Sequence, residues 1–324
     1  MADSAARRWI GFRSEIRIID CTIRDGGLMN DHFFEDSTVR RIVQGCAEGG
    51  IDFMEIGYKG SKGLYKPGTV GPWRFCAEED MNRVLDGLDL KGLKLSAMAD
   101  VGRSEASDLL PKTQSPLSLI RVACYIHQVP GALDIIKAAH DKGYEAAFNL
   151  MALSSAPLDE VETALELVVQ SEVNAIYVVD SFGSFYGEQV REHVQRFLKY
   201  AAPKGKTVGI HAHNNQQMAF SNSIETIVAG GNMVDGSLAG LGRGAGNCPT
   251  EFLAGFLHNP KYRLRPLLET IRDAVEPLRA KIQWGPSIPY FLTGLLNMHP
   301  REAMAFESGT STEDIVSFYN RISM

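Results

Sequence analysis

His211 and His213 are separated by a single residue at the end of an apolar run, Val208 to Ile210, and are followed by Asn214-Asn215. Successive side chains of a β-strand point to opposite faces, so two histidines at this spacing share one face. A pair of imidazoles looking the same way, with amides just beyond, is half of a divalent-metal site; neutral hydrogen-bonding histidines at a strand end are the plainer reading. An oxygen ligand is missing locally. The best candidate lies far upstream in Ile18-Ile19-Asp20-Cys21-Thr22-Ile23-Arg24-Asp25-Gly26-Gly27, where Asp25 precedes a glycine pair. An Asp before Gly-Gly can be no more than a turn residue. Arg24 beside it adds a second cation, and a metal carboxylate next to a guanidinium suits a substrate that becomes an enolate or other oxyanion.

A third segment, Gly240-Leu241-Gly242-Arg243-Gly244-Ala245-Gly246-Asn247, superficially resembles a dinucleotide fingerprint. Its position argues otherwise, because it follows the last predicted strand and no βαβ unit with a ribose-binding acid comes after it. Gly242 and its neighbours would let the backbone approach an anionic ligand or shape the floor beside a metal, and Asn247 could offer a carbonyl oxygen; a tight turn into a helix explains the glycines equally well.

These residues must be positioned by a scaffold, and the scaffold is periodic. Apolar runs predicted as strands lie at 16–20, 52–58, 93–99, 117–125, 144–151, 175–180, 207–213 and 233–238. Helical patterns fall at 34–49, 78–88, 132–142, 158–171, 187–201, 218–230 and from 250, with a short helix expected over 103–110. Strand–helix units of about 30 residues imply a parallel sheet with crossovers. Eight of them predict a (β/α)8 TIM barrel over 1–260, with a doubly wound open sheet as the alternative and a helical extension over 261–324 packed on the barrel. Asp25, Asp100, Arg121, Asn149, Asp180, His211, His213 and Asn247 all fall at or just after predicted strand C-termini, where barrel enzymes build their sites. On that register Arg121 and Asn149 point into the barrel mouth, Arg121 either for a carboxylate or as a structural ion pair, and Ser181 ends the sixth strand beside Asp180. Asp180 orients a histidine, or the residues near it serve as a helix N-cap. The Gly-, Lys- and Pro-rich stretch 59–75 reads as a long loop of the kind used as a lid.

Composition narrows the function classes. The 324 residues carry a net charge of −6, with 44% hydrophobic and 22% charged residues, so no basic field invites nucleic acid or an anionic membrane. Cysteines 21, 46, 76, 124 and 248 are scattered without a CxxC pair, which fits reduced thiols in a cytoplasmic protein. The segment Met1–Ile10 has Arg7 and Arg8 but no apolar core behind them, so it does not read as a signal peptide, and no run approaches the roughly 18 apolar residues of a membrane span.

Taken in order, Asp20-Cys21-Thr22-Ile23-Arg24-Asp25-Gly26, His211-Ala212-His213-Asn214-Asn215 and the loop 240–247 resemble the metal-dependent lyase and synthase superfamily of TIM barrels. That superfamily includes 4-hydroxy-2-oxovalerate aldolases, hydroxymethylglutaryl-CoA lyase, and isopropylmalate and homocitrate synthases. The resemblance spans about residues 15–260 and implies that Asp25, His211 and His213 hold a divalent ion. Mn²⁺ is expected first, with Mg²⁺, Co²⁺ or Zn²⁺ as alternatives. It also implies that Arg24 stabilises an enolate, and that Asn247 matches a ligand position of some branches. The loop form Gly-Leu-Gly-x-Gly-Ala-Gly-Asn-x-Pro is similar to the aldolases, and the segment from Trp284 through Tyr290 to Arg301 is similar to aldolase catalytic domains. The condensing synthases carry Glu and Arg where this chain has Arg243 and Gly244.

One departure concerns proton transfer. Well-studied aldolases carry a histidine three residues after the metal aspartate, and Leu28 stands there; His32 and Tyr290 are the expected substitutes. The resemblance therefore implies an aldolase cleaving a 4-hydroxy-2-oxo acid through a pyruvate-type enolate, with Arg121, Asn149, Ser181 and Gly242 binding substrate. A Claisen-type acyltransferase condensing an acyl-CoA with a 2-oxo acid is the alternative. A 2-His-1-carboxylate iron oxygenase and a ligand-binding barrel without turnover are readings from other classes. The expected partners are a small-molecule 2-oxo acid, further copies of the chain in a homo-oligomer, and an aldehyde dehydrogenase that takes the product; nucleic acid and membrane are not expected.

Overall fold

The computed structural model describes residues 13–309 and 312–324, so the N-terminal segment with Arg7 and Arg8 lies outside the described residues. Eight parallel strands close into a barrel in chain order. They are β1 (Arg17–Asp20), β2 (Phe53–Tyr58), β3 (Lys94–Asp100), β4 (Leu117–Cys124), β5 (Glu145–Leu150), β6 (Ala175–Asp180), β7 (Thr207–Ala212) and β8 (Met233–Gly236). Closure comes from β8 pairing with β1, where Ile18 faces Val234 and Asp20 faces Gly236. This is the (β/α)8 TIM barrel, and the open-sheet alternative is excluded by that pairing.

Strand alternation explains both sides of the wall. On β4 the side chains of Ile120, Val122 and Cys124 join the main core beneath the helices, whereas Leu119 lies in the barrel interior with Ile19, Phe53, Ala147 and Tyr177. The interior is tight: a Cβ on Gly209 would come within 2.5 Å of the Tyr177 ring. Outer helices follow the strands. After the single-turn α1 (Thr22–Gly26) come α2 (Asp36–Gly49), α3 (Glu78–Leu85), α4 (Val129–Asp141), α5 (Leu158–Val168), α6 (Gly187–Ala201), α7 (Ala219–Val228) and α8 (Thr250–Phe256). The left-handed Gly50, at φ 76°, terminates α2 and returns the chain to β2.

Two expectations change in detail. The stretch 103–110 forms a single turn at Ala106–Asp108 rather than a helix: Glu105 and Asp108 close a capping box at its start, and Leu109 leaves it in an extended conformation. The loop 59–75 is pinned rather than poised over the barrel. Lys59 pairs with Glu78 at 2.7 Å, and the Arg74 guanidinium sits between the Tyr58 and Tyr65 rings, 4.2 and 5.1 Å from their centroids. The chain beyond 260 continues as α9 (Leu264–Thr270), α10 (Ile288–Leu295), α11 (Arg301–Glu307) and α12 (Ile315–Ile322). α9 packs on α2 where Gly45 and Gly49 leave room for Thr270 and Leu267. Asp52 clasps this extension to the barrel floor, accepting from Lys261 Nζ and Tyr262 Oη at 2.7 Å each and from the Ile18 amide at 3.0 Å.

On α8, burial pushes the Glu251 carboxyl up from its ordinary 4.5 to about 7, while its Oε2 accepts the Ala239 amide at 3.1 Å. The folded state therefore holds the proton more tightly than the unfolded chain. Its stabilising contribution is complete below pH 4.5 and is lost as pH rises through 7. Glu251→Gln is expected to remove that slope, so that its urea midpoint exceeds the wild-type one at pH 8 and matches it near pH 4.5.

Candidate active site

Asp25 reaches the barrel mouth on α1, a single buried turn directly after β1, and His211 and His213 arrive from the end of β7. His211 Nε2 lies 3.3 Å and His213 Nε2 3.9 Å from Asp25 Oδ2. The ligand atoms of all three residues fall within 4.8 Å of one another, and all three residues are buried. Each imidazole is aimed by a bond at its other nitrogen. His211 Nδ1 meets Asp235 Oδ2 at 2.9 Å, and His213 Nδ1 meets the Asp180 carbonyl at 3.1 Å. This leaves both Nε2 atoms turned toward Asp25, buried and without a hydrogen-bond partner.

The donor set fits a divalent cation: one carboxylate, two imidazole nitrogens oriented from behind, and the Asn247 amide beside them. Asn247 Nδ2 donates to Asp25 Oδ2 at 2.5 Å, and its Oδ1 is buried without a partner. Electrostatics agree. Burial alone would raise the Asp25 carboxyl, but Arg24 and the two histidines hold it well below the usual carboxylate range, so it stays an anion. A second cluster, Cys21 with His211 and Asp235, is a poorer place for a cation. Arg121 Nη2 sits 2.5 Å from Asp235 Oδ2 and Nη1 3.5 Å from Cys21 Sγ, and burial keeps that thiol protonated.

Arg24 is braced. Its Nη1 donates to Asp25 Oδ1 at 2.7 Å and its Nε to Glu55 Oε2 at 2.6 Å, while Nη2 is buried without a partner. Above these groups lies a cavity of about 550 Å³ lined by Arg24, Asp25, His211, His213, Asn149 and Ser181, among others. Asn149 presents a buried Oδ1 with no partner. Ser181 Oγ accepts the Ala152 amide at 2.8 Å, and the Ser181 carbonyl accepts Arg243 Nη2 at 2.8 Å. Asp180 fills the orienting role: its carbonyl meets His213 Nδ1, while its carboxylate accepts the Ser184 and Phe185 amides in the turn that precedes α6, whose N-cap is Tyr186.

Four expected site residues are placed elsewhere. Arg121 is fully buried inside the barrel, paired with Glu55 and Asp235, and does not line the cavity. Gly242 is not on the cavity wall; a Cβ there would lie 2.4 Å from Asn247 Nδ2, so this glycine makes room for the amide. Leu28 lines the cavity, and His32 stands behind it in a neighbouring pocket, packed against Gly27 and edge-on to Tyr58 at 5.2 Å. Burial and then Arg74 push the His32 imidazole down to about 3, so it is neutral. Tyr290, on α10, packs against Gly244 and lines a separate pocket with Trp284 and Glu307, and burial raises its hydroxyl to about 12.

Gly242→Ala is expected to displace the Asn247 amide and weaken metal affinity by about tenfold, as loss of a supporting partner typically does. Asn247→Ala should match it, and the double variant should be no weaker than either single one, as competitive chelator titration would read.

Several residues of the site carry no local sequence signal of their role. Arg243, Tyr58 and Tyr125 line the cavity beside the strand-end Asp100 that the sequence singles out, and His299, Arg301 and Met304 reach it from the C-terminal extension. Glu55 and Asp235 carry one general signal, since an acid inside an otherwise apolar strand is costly to bury unpaired and so points to a partner.

The HMGL-like family model matches residues 124–276. A 4-hydroxy-2-oxovalerate aldolase of Carboxydothermus hydrogenoformans is 31% identical over 276 residues, covering 85% of this chain and 80% of that protein. The chain belongs to the HMGL-like family. An oxaloacetate decarboxylase of Mycobacterium tuberculosis is 30% identical over 257 residues, covering 79% of this chain and 74% of its own length. Among solved structures, the N-terminal domain of a Bacteroides vulgatus protein assigned as an aldolase superposes with a TM-score of 0.79 at 26% identity, covering 93% of this chain and 99% of that one. The HMG-CoA lyase of Brucella melitensis shares the fold, with a TM-score of 0.65 at 17% identity over 82% of this chain and 99% of its own.

Proposed function

We propose that this HMGL-like protein is a divalent-metal-dependent aldolase that cleaves a 4-hydroxy-2-oxo acid into pyruvate and an aldehyde. The observation that carries the reading is the convergence of two unpartnered histidine Nε2 atoms on Asp25 beside the free Nη2 of Arg24. A divalent ion on Asp25, His211 and His213, with Asn247 Oδ1 as a further donor, supplies Lewis-acid polarisation of the substrate's 2-oxo and carboxylate oxygens; Mn²⁺ is the first choice.

The protein's own groups do the rest. Asn149 and Ser181 line the wall against which the 2-oxo acid lies. Asp100 is the only other carboxylate lining the cavity among the described residues, and burial raises its carboxyl, which suits a base for the 4-hydroxyl proton. As that proton leaves, the C3–C4 bond breaks, the aldehyde departs and the electron pair passes into the pyruvate enolate. Arg24 Nη2 donates to the developing oxyanion, and protonation at C3 yields pyruvate.

A second reading is favoured by Leu28. Decarboxylation of a 2-oxo acid with a 4-carboxylate forms the same enolate as CO₂ leaves and needs no base at that position, and a relative bears the name oxaloacetate decarboxylase. Pyruvate release from 4-hydroxy-2-oxo acids, set against CO₂ release from oxaloacetate with the same Mn²⁺-loaded protein, separates the two. Pyruvate with stoichiometric aldehyde is expected, and no cleavage of any 4-hydroxy-2-oxo acid rejects the aldolase.

All five cysteines are free and buried, which suits a reducing cytoplasm, and among the described residues no helix is long and apolar enough to cross a membrane. A homo-oligomer, and an aldehyde dehydrogenase that consumes the aldehyde, complete the proposal.

A further inference from the structure

The charges lining the cavity do not balance, and the excess is positive. Near the candidate metal ligands every charged side chain has an opposite partner. Arg24 is matched by Asp25 and Glu55 at 2.7 and 2.6 Å, and Asp100 has Arg74 at 3.9 Å. Three further guanidinium groups line the same cavity from three separate elements: Arg103 from the turn after β3, Arg243 from the loop after β8, and Arg301 from the first turn of α11. No ion pair joins Arg103, Arg243 or Arg301 to a carboxylate among the described residues; Arg243 donates only to the Ser181 carbonyl, and its Nε is buried without a partner. Arg103 is held in place by its backbone, which bonds to Asp100 and Ser61.

His299 belongs to the same wall. Burial and Arg243 push its imidazole down to about 4, so it is neutral. Its Nδ1 accepts the Arg301 amide at 3.2 Å, which leaves Nε2–H as a donor. Like charges gathered around one cavity repel, and a bound anion relieves that repulsion. The pyruvoyl carboxylate supplies only one negative charge, and in the aldolase reading it is taken up beside the metal ligands.

We propose that Arg103, Arg243, Arg301 and His299 form a second anion subsite, so that the aldehyde half of the substrate carries a carboxylate or a phosphate. Met98, Met151 and Met304 line the same cavity and suit a short aliphatic link between the reacting carbons and that group. This substrate class rests on the aldolase reading, although the subsite itself does not.

Two measurements test it. In the condensing direction, the Mn²⁺-loaded protein is given pyruvate with succinic semialdehyde or glyceraldehyde 3-phosphate as anionic acceptors, and with propanal or glyceraldehyde as neutral ones. A kcat/KM preference of at least about tenfold for an anionic acceptor is expected, and whichever acid wins names the group. Arg301→Ala and Arg103→Ala should each shrink that preference, and Arg301→Lys should retain part of it. Equal rates with neutral and anionic acceptors overturn the subsite while leaving the aldolase intact.

The second measurement needs no turnover. Calorimetry compares 2-oxoglutarate with 2-oxopentanoate, which has the same chain length and no distal acid. Tighter binding of 2-oxoglutarate that is lost in Arg301→Ala supports the subsite even if no aldehyde condenses, in which case only the aldolase reading fails. Equal affinities overturn the subsite.

Discussion

Arg121→Met is expected to destabilise the fold by about 3–5 kcal/mol, read as a lower urea midpoint. The reason is where the guanidinium sits. It is fully buried in the barrel, donates to Asp235 at 2.5 Å and to Glu55 at 3.1 Å, and lies 4.4 Å from the centre of the Tyr177 ring. Truncation strands the buried Asp235 carboxylate without its guanidinium and leaves Glu55 with Arg24 alone, and breaking a buried pair costs more than the pair itself contributes. Asp235→Asn added to Arg121→Met should recover part of the loss, because the stranded charge is then gone. A residue whose task was to grip substrate would give the opposite pattern, a raised KM with an unchanged midpoint.

Asp25→Asn should abolish specific metal binding and lower aldolase turnover by about 10³-fold or more, several kcal/mol of transition-state stabilisation. Asn keeps the shape but not the charge. Arg24 retains Glu55 at 2.6 Å, so the turn and the barrel should remain folded. Metal content by elemental analysis should fall to background while the urea midpoint stays near that of the metal-free wild type. If the variant keeps its metal and its turnover, Asp25 is not the oxygen ligand.

The sequence makes some of this architecture readable and hides the rest for physical reasons. His211 and His213 could be put on one face because strand geometry fixes the direction of every second side chain. Asp25 could be paired with them only by assuming that strands one and seven end at the same barrel mouth, and the closed chain-order barrel makes that assumption good. The same alternation gave Arg121 an inward direction but not a depth. Arg121 pairs in register with Met98 and Ala147, within the strand rather than at its exit, where a guanidinium meets other strands and not a ligand.

Of the two roles the sequence leaves open for Gly242, backbone access to a ligand and shaping the floor beside the metal, the structure matches the second. A glycine near a ligand looks like backbone access, whereas its missing Cβ here spares the Asn247 amide. His32 and Tyr290 stand out in the sequence by their chemistry alone, and no local pattern reports that Leu28 stands between His32 and the cavity or that Gly244 packs on Tyr290. His299 and Arg301 were beyond reach, because only the packing of α11 against the barrel mouth brings them there.

The most direct test of the central claim is anomalous diffraction at the manganese edge from crystals of the Mn²⁺-loaded protein. A single strong peak within coordination distance of Asp25, His211 Nε2 and His213 Nε2 is the predicted result. A peak between Cys21 and Asp235, or none at the barrel mouth, would contradict it.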